Sequence, residues 1–216
     1  AAAVRVLFAI TVLVFAMLLV GGGTPVVSLA APVLWASLLH RGAMLAGPAD
    51  DCLAVLLWCL AVGRPGRAFS VDRLRADRSG RAVPPASVRC RIAEGLLLVH
   101  ATAIAAAAAL AQLKGDVWWD GTAAWWLAAR QESRLVDLTG LYARSEYLMN
   151  LVTHAIPSWE IAFAVGIWPA VTRRPVARAG LVAWPLLGLL AGEPLWGLTL
   201  AAMCVPAAAA RTPPRR

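Results

Sequence analysis

Long apolar blocks, separated by short charged stretches, dominate this sequence of 216 residues. The chain is 60% hydrophobic with a mean hydropathy of +0.69, more apolar material than a soluble domain of this size can bury. Blocks of this kind are typical of helices that cross the hydrocarbon core of a bilayer, which takes about 20 residues. The pattern therefore predicts an all-α, polytopic transmembrane helical bundle whose first partner is the lipid bilayer.

The apolar blocks predict about seven spans and an interfacial amphipathic helix. The expected spans are Val4–Val20, Val26–Leu39, Asp51–Val62, Ile92–Leu113, Tyr147–Val171, Ala179–Leu190 and Leu195–Ala209. The third is short, and an earlier start or flanking residues would complete it. Pro157 is expected to interrupt the fifth span, and Arg173, Arg174 and Arg178 are expected to form a short basic turn after it.

The net charge of +8 comes almost wholly from arginine, with Lys114 as the sole lysine. A nucleic-acid binder can also be basic, but here the arginines lie between apolar blocks, as the positive-inside rule describes. The Arg-rich loop 64–91 and the basic tail 211–216 are therefore predicted to be cytoplasmic, and segment 114–145 extracytoplasmic. The expected location is the cytoplasmic (inner) membrane, with no nucleic acid as a partner.

Ionisable residues inside spans are costly and are functional candidates by default. Glu94 has a plain interpretation as an ion-pair partner of Arg89 or Arg91 near the basic loop. His100 and His154 are each open to two interpretations, a helix–helix hydrogen bond or a proton acceptor or quinone contact.

Glu160 follows Pro157 in the fifth predicted span and is either a structural partner or a site residue. In a regular helix, His154 and Glu160 would lie about 120° apart. Both are candidate site residues.

Segment 114–145 begins with an unusual polar and aromatic run around Lys114 and Asp120. One interpretation is an interfacial turn in which Asp120 caps a helix that begins near Thr122. The other is an active-site lip in which a partly desolvated Lys114 acts as a base. The four cysteines show no metal-ligand spacing, so packing roles and no metal site are expected.

Three parts of the sequence are similar to motifs of one membrane-protein family. They are Ser37–Asp51 with Leu56–Trp58 and Gly66–Asp72, then Gln112–Ala123, then Leu151–Glu160 with Arg173–Arg174. In order and content they resemble the horizontally transferred transmembrane (HTTM) domain of vitamin K-dependent gamma-carboxylases and many bacterial membrane proteins. Its bacterial relatives resemble proteins that help to mature the sporulation-delaying peptide toxin. The resemblance implies a single domain over residues 1–210 that lacks the family's usual first helix.

Three positions depart from the family pattern. Gln112 stands where gamma-carboxylases have the lysine that deprotonates vitamin K hydroquinone, and Lys114 follows two residues later. The segment Arg41–Ala43 lacks the family's asparagine, and Trp184 stands at a usual histidine. The resemblance therefore supports the fold better than it supports carboxylation.

The function that the resemblance implies is maturation or modification of an exported peptide or protein, with Lys114, Asp120, His154 and Glu160 as candidate working residues. Whether the chain is an enzyme stays open, and the cofactor is unknown, with a quinone suggested by the family. The alternatives are a quinone-dependent oxidoreductase or carboxylase, and a non-enzymatic membrane partner or immunity protein.

Overall fold

A computed structural model describes residues 2–42, 44, 46–63, 65–66, 70–80, 87–130 and 135–209. These residues form eleven α-helices and no strand, which confirms the all-α prediction. The helices are α1 (Ala2–Val20), α2 (Thr24–Arg41), α3 (Pro48–Gly63), α4 (Val71–Arg78), α5 (Val88–Gln112), α6 (Asp116–Trp119), α7 (Ala123–Ala129), α8 (Thr139–Arg144), α9 (Glu146–Gly166), α10 (Ala170–Ala191) and α11 (Pro194–Ala209). The predicted tail 211–216 and residues 81–86 of the predicted Arg-rich loop lie outside the described residues.

Each predicted apolar block corresponds to a helix, but the helices differ in their fitness to cross a bilayer. By length and composition α1 and α5 qualify, with mean hydropathies of 2.7 and 1.7. Helices α3 and α11 have only 16 residues each. Helices α9 and α10 have 21 and 22 residues but carry polar or charged side chains. Two helices of the described chain are thus suited to a membrane by this measure.

Backbone contacts divide the chain into two compact units, Ala1–Leu97 and Leu98–Arg216, with the boundary inside α5. In the first unit, α1 and α2 pack together through Phe15 and Trp35, whose ring centroids lie 5.9 Å apart. Gly21 turns the chain between these helices with φ 68°, and a Cβ there would overlap Ser70. The lack of a side chain at Gly21 also admits the polar segment that follows α3.

Asp72 ties α4 to the start of α2 in this first unit. Its carboxylate accepts hydrogen bonds from the Gly23 N–H (2.9 Å), the Thr24 N–H (2.7 Å) and the Thr24 hydroxyl (2.8 Å). These bonds, led by that from the Thr24 N–H, hold the pKa of Asp72 below its usual value. Ser70 caps α4 by accepting from the Arg73 N–H at 3.0 Å. The polar segment 64–91 therefore contains a helix that sequence analysis did not predict.

In the second unit, α10 and α11 form a tight antiparallel hairpin. Gly192 makes the turn with φ 75°, as expected for a glycine just after a helix. A Cβ on Gly188 would lie 2.9 Å from the Cα of Gly197, so the two helices approach backbone to backbone. Glycine at both positions permits this contact, as at helix crossings in membranes.

Two predictions for the second unit are wrong. Pro157 lies inside α9 and does not interrupt it, because a proline withdraws one N–H donor while the residues on either side stay helical. Arg173, Arg174 and Arg178 lie within α10 and do not form a turn. Arg173 instead donates hydrogen bonds from Nε to the Ile167 carbonyl (3.2 Å) and from Nη2 to the Trp168 carbonyl (2.8 Å). It thus satisfies carbonyls that follow the end of α9.

Candidate functional site

Glu160 is the one fully buried acidic side chain among the described residues, with 2% exposure. It lies on the face of α9 that also buries Thr153, Ile156, Pro157 and Phe163. Its Oε1 accepts a hydrogen bond from Nε2 of Gln112, the last residue of α5, at 3.2 Å. Glu160 Oε2 and Gln112 Oε1 are both buried and have no partner among the described residues. The pair therefore has spare hydrogen-bonding capacity in a buried place.

Aromatic rings gather on the same part of α9. Trp159 and Phe163 lie on either side of Glu160 in sequence, and each stacks against Trp184 of α10, with centroids 6.0 and 5.1 Å apart. Trp196 of α11 adds a fourth ring, 6.0 Å from Trp184. Trp184 is 1% exposed and belongs to this cluster. The surroundings of the carboxyl are thus mostly apolar and rigid.

The side chain of Thr153 links the residues that follow Asp120 to helix α9. Its buried hydroxyl donates to the Gly121 carbonyl (2.9 Å) and accepts from the Ala124 N–H (3.0 Å). Gly121 has φ 75°, and a Cβ there would overlap the Asn150 side chain. Because Gly121 has no side chain and Ala124 has a small one, this part of segment 114–145 can pack directly against α9.

Helices α7 and α8 extend this contact into a small core. Ala124, Ala128 and Tyr142 are buried together, and Leu148 and Val152 of α9 pack against them. Burial raises the pKa of the Tyr142 hydroxyl. The part of segment 114–145 from Gly121 to Ala128, together with Tyr142, is thus packed in the second unit.

The four predicted site residues do not converge. Lys114, Asp120 and His154 are exposed, whereas Glu160 is buried. No hydrogen bond or ion pair joins any two of these four, all of which are described. His154 and Glu160 therefore lie in different environments, which their separation of about 120° around one helix permits.

Two structural interpretations are also wrong, namely that Asp120 caps α7 and that Glu94 forms an ion pair. Asp120 does not cap α7, because the N-cap is Thr122 and no side chain bonds to that helix start. Glu94 is exposed and pairs with neither Arg89 nor Arg91 among the described residues. At an exposed position, water hydrates both charges, so an ion pair contributes little to the stability of the folded chain. Lys114 is likewise exposed, so the chain itself does not desolvate it.

Sequence analysis missed the roles of Gln112 and Thr153. Gln112 entered only as a departure from a family motif, although an amide at the end of an apolar helix is itself a signal of a buried polar partner. Thr153 lies seven residues before Glu160, so both fall on one helix face. That spacing could have identified Thr153.

Comparison with known proteins gives no match, whether with protein-family models, curated proteins or solved structures. The HTTM resemblance therefore stays a prediction. Gln112 does not fit the role of the base that deprotonates the quinone in that family, because a carboxamide cannot serve as a base and this one bonds to Glu160 instead. No reaction step is derived through a quinone.

Proposed function

We propose that the chain is a multi-pass protein of the cytoplasmic membrane that takes part in maturation or modification of an exported peptide or protein. All seven apolar blocks would then cross or enter the bilayer, with segment 114–145 outside and the Arg-rich loop 64–91 inside. The apolar surface supports this arrangement: large side chains such as Phe8, Leu19 and Val165 are 61%, 87% and 68% exposed. In water such a surface would be costly, whereas lipid solvates it.

The single observation that carries the proposed role is the buried Glu160–Gln112 pair. An ionisable side chain costs roughly 2.5–3.5 kcal/mol at the centre of a membrane span, and such residues mark sites where a proton, ion or substrate is handled. Glu160 Oε2 and Gln112 Oε1 are buried and lack a hydrogen-bond partner among the described residues, so each could accept a hydrogen bond from a polar group of a substrate that reaches them. A carboxyl in this position can give or take a proton during a modification reaction.

Carboxylation is less well supported than another modification. The resemblance aligns Gln112 with the family's catalytic lysine, and an amide does not accept a proton at neutral pH. Lys114 is exposed and makes no hydrogen bond to the Glu160–Gln112 pair. The proposed working residue is therefore Glu160, with Gln112 as the residue that positions it.

The test is genetic and uses the native host. A deletion strain is complemented with the wild-type gene, Glu160→Gln or Glu94→Gln, and secreted peptides are compared by mass spectrometry. Glu94→Gln is the matched control, because it makes the same change at an exposed glutamate. We expect the deletion strain and Glu160→Gln to share an altered or missing peptide mass, and Glu94→Gln to match wild type. Membrane fractions are immunoblotted so that equal amounts of each variant are compared.

Two results would contradict the proposal in different ways. An unchanged set of secreted peptides in the deletion strain would remove the maturation role altogether. Full rescue by Glu160→Gln, with a clear deletion phenotype, would leave the chain as a non-enzymatic membrane partner, since the one fully buried acid of the described residues would then be dispensable.

A further inference from the structure

A groove in the first unit joins an apolar wall to a cationic end. It encloses about 600 Å³ and is lined by Val33, Ala36, Ser37, His40 and Arg41 of α2 and by Trp58 of α3. Val33 and Trp58 are 54% and 50% exposed, so the wall is open to the surroundings of the unit. The distance from Val33 to Arg41 along α2 is ~12 Å at 1.5 Å per residue.

The cationic end of the groove has unused binding capacity. Arg41 is exposed, and no carboxylate forms an ion pair with it among the described residues. The nearest acidic stretch in sequence begins with Asp50, whose carboxylate is engaged by the Gly47 N–H at 2.8 Å. His40 donates a hydrogen bond from Nδ1 to the Ala36 carbonyl at 2.7 Å, which leaves Nε2 as an acceptor for a hydroxyl group of a ligand.

We propose that this groove binds one anionic membrane phospholipid, with an acyl chain along Val33, Ala36 and Trp58, the phosphate at Arg41 and a headgroup hydroxyl at His40. A guanidinium offers two parallel N–H donors that match two phosphate oxygens. Basic pockets between apolar helices select anionic headgroups over zwitterionic ones, because the choline cation of the latter offsets the attraction. The wall contributes affinity for either lipid, and the cationic end contributes the preference for the anionic one.

The inference is tested on the full purified chain in detergent by native mass spectrometry. Dioleoyl phosphatidylglycerol and dioleoyl phosphatidylcholine are titrated separately, and the first bound lipid is quantified. The variants are Arg41→Gln, Ala36→Phe and the control Arg5→Gln, which removes an exposed arginine of α1 that does not line this groove. Circular dichroism confirms equal helix content before the comparison.

The expected result is a preference of about tenfold for the phosphatidylglycerol in the wild type, equivalent to about 1.4 kcal/mol. Arg41→Gln should reduce this preference to less than about twofold, and Arg5→Gln should leave it intact. Ala36→Phe, which fills the groove, should weaken both lipids alike. Equal affinity of the wild type for the two lipids would overturn the inference. So would an equal loss with Arg5→Gln and Arg41→Gln, or unchanged binding in Ala36→Phe.

Discussion

Replacement of Asp72 by asparagine is expected to loosen the start of α2. The Asp72 carboxylate accepts three hydrogen bonds, two of them from backbone N–H groups that have no partner within α2. Gly23, the N-cap residue of α2, supplies no side chain to replace it. Loss of a helix cap costs about 1 kcal/mol, and a hydrogen bond to a charged group contributes ~1.5–3 kcal/mol. Asparagine keeps one acceptor oxygen, so we expect a loss of about 1–2 kcal/mol after allowance for solvent screening.

The effect of Asp72→Asn should depend on pH in one direction. Hydrogen bonds from the Thr24 and Gly23 N–H groups lower the pKa of Asp72 in the folded chain below its unfolded value of about 3.9. The charge therefore stabilises the folded state fully above the unfolded pKa, and this contribution is lost as the pH falls through the folded pKa. The difference between wild type and Asp72→Asn should be constant from about pH 7 to pH 5 and shrink below about pH 4.

Amide hydrogen exchange of residues 21–28, measured on the chain in lipid nanodiscs, reports this contact directly. We expect exchange about 5- to 30-fold faster in Asp72→Asn, as 1–2 kcal/mol implies. Asp77→Asn is the matched control on the same helix, since Asp77 pairs only with Arg73, at 2.9 Å on the exposed side of α4. A surface pair of this type contributes about 0.3–0.5 kcal/mol. Equal effects of the two variants, or an Asp72→Asn effect that persists unchanged at pH 3, would refute the role assigned to Asp72.

Two further predictions concern packing in the second unit, each read out as the thermal unfolding temperature in detergent. Thr153→Val keeps the side-chain shape but strips both bridged backbone groups of their partner, so a loss of about 2–4 kcal/mol is expected. Thr199→Val, which loses only a bond within its own helix, should change stability by less than about 0.5 kcal/mol, and an equal shift would count against the bridge. Gly188→Ala should destabilise the chain because its Cβ would lie 2.9 Å from the Gly197 Cα. Gly95→Ala meets no atom within 4 Å and should stabilise α5 by about 0.5–1 kcal/mol; similar behaviour of both alanines would contradict the close helix contact.

The main helices could be predicted because the signals that define them are local. The apolar blocks Val4–Val20 and Leu195–Ala209 predicted α1 and α11. Helix α4 was missed because it is short and charged, and part of what holds it is the bond from Asp72 to Thr24, 48 positions away in the chain. Contacts at such separations leave no periodic pattern in the sequence.

The candidate site could be predicted only in part, for a related reason. Glu160 was predicted as a site residue because an acidic side chain within an apolar block is energetically costly whatever its orientation. Lys114 and Asp120 were chosen from the polar and aromatic run that begins segment 114–145, and the structure leaves both exposed. The bond from Gln112 to Glu160 again spans 48 positions, so it could not be inferred from either residue alone.

Thr153 and Glu160 both lie on α9, but their hydrogen bonds indicate different roles, structural for Thr153 and functional for Glu160. The two side chains share one buried face and lie about 10.5 Å apart along the axis, at seven residues of separation. The Thr153 hydroxyl donates one hydrogen bond to the Gly121 carbonyl and accepts another from the Ala124 N–H. Its hydrogen-bonding groups are thus used on the backbone of neighbouring residues, as a structural bridge requires. Glu160 makes one bond, to Gln112, and leaves an oxygen on each partner unpaired. An apolar pair of similar volume would be at least as stable as such a half-satisfied polar pair. Stability therefore accounts for Thr153 but not for Glu160, and this difference is the reason that we propose the substrate contact at the Glu160–Gln112 pair instead of at the exposed Lys114.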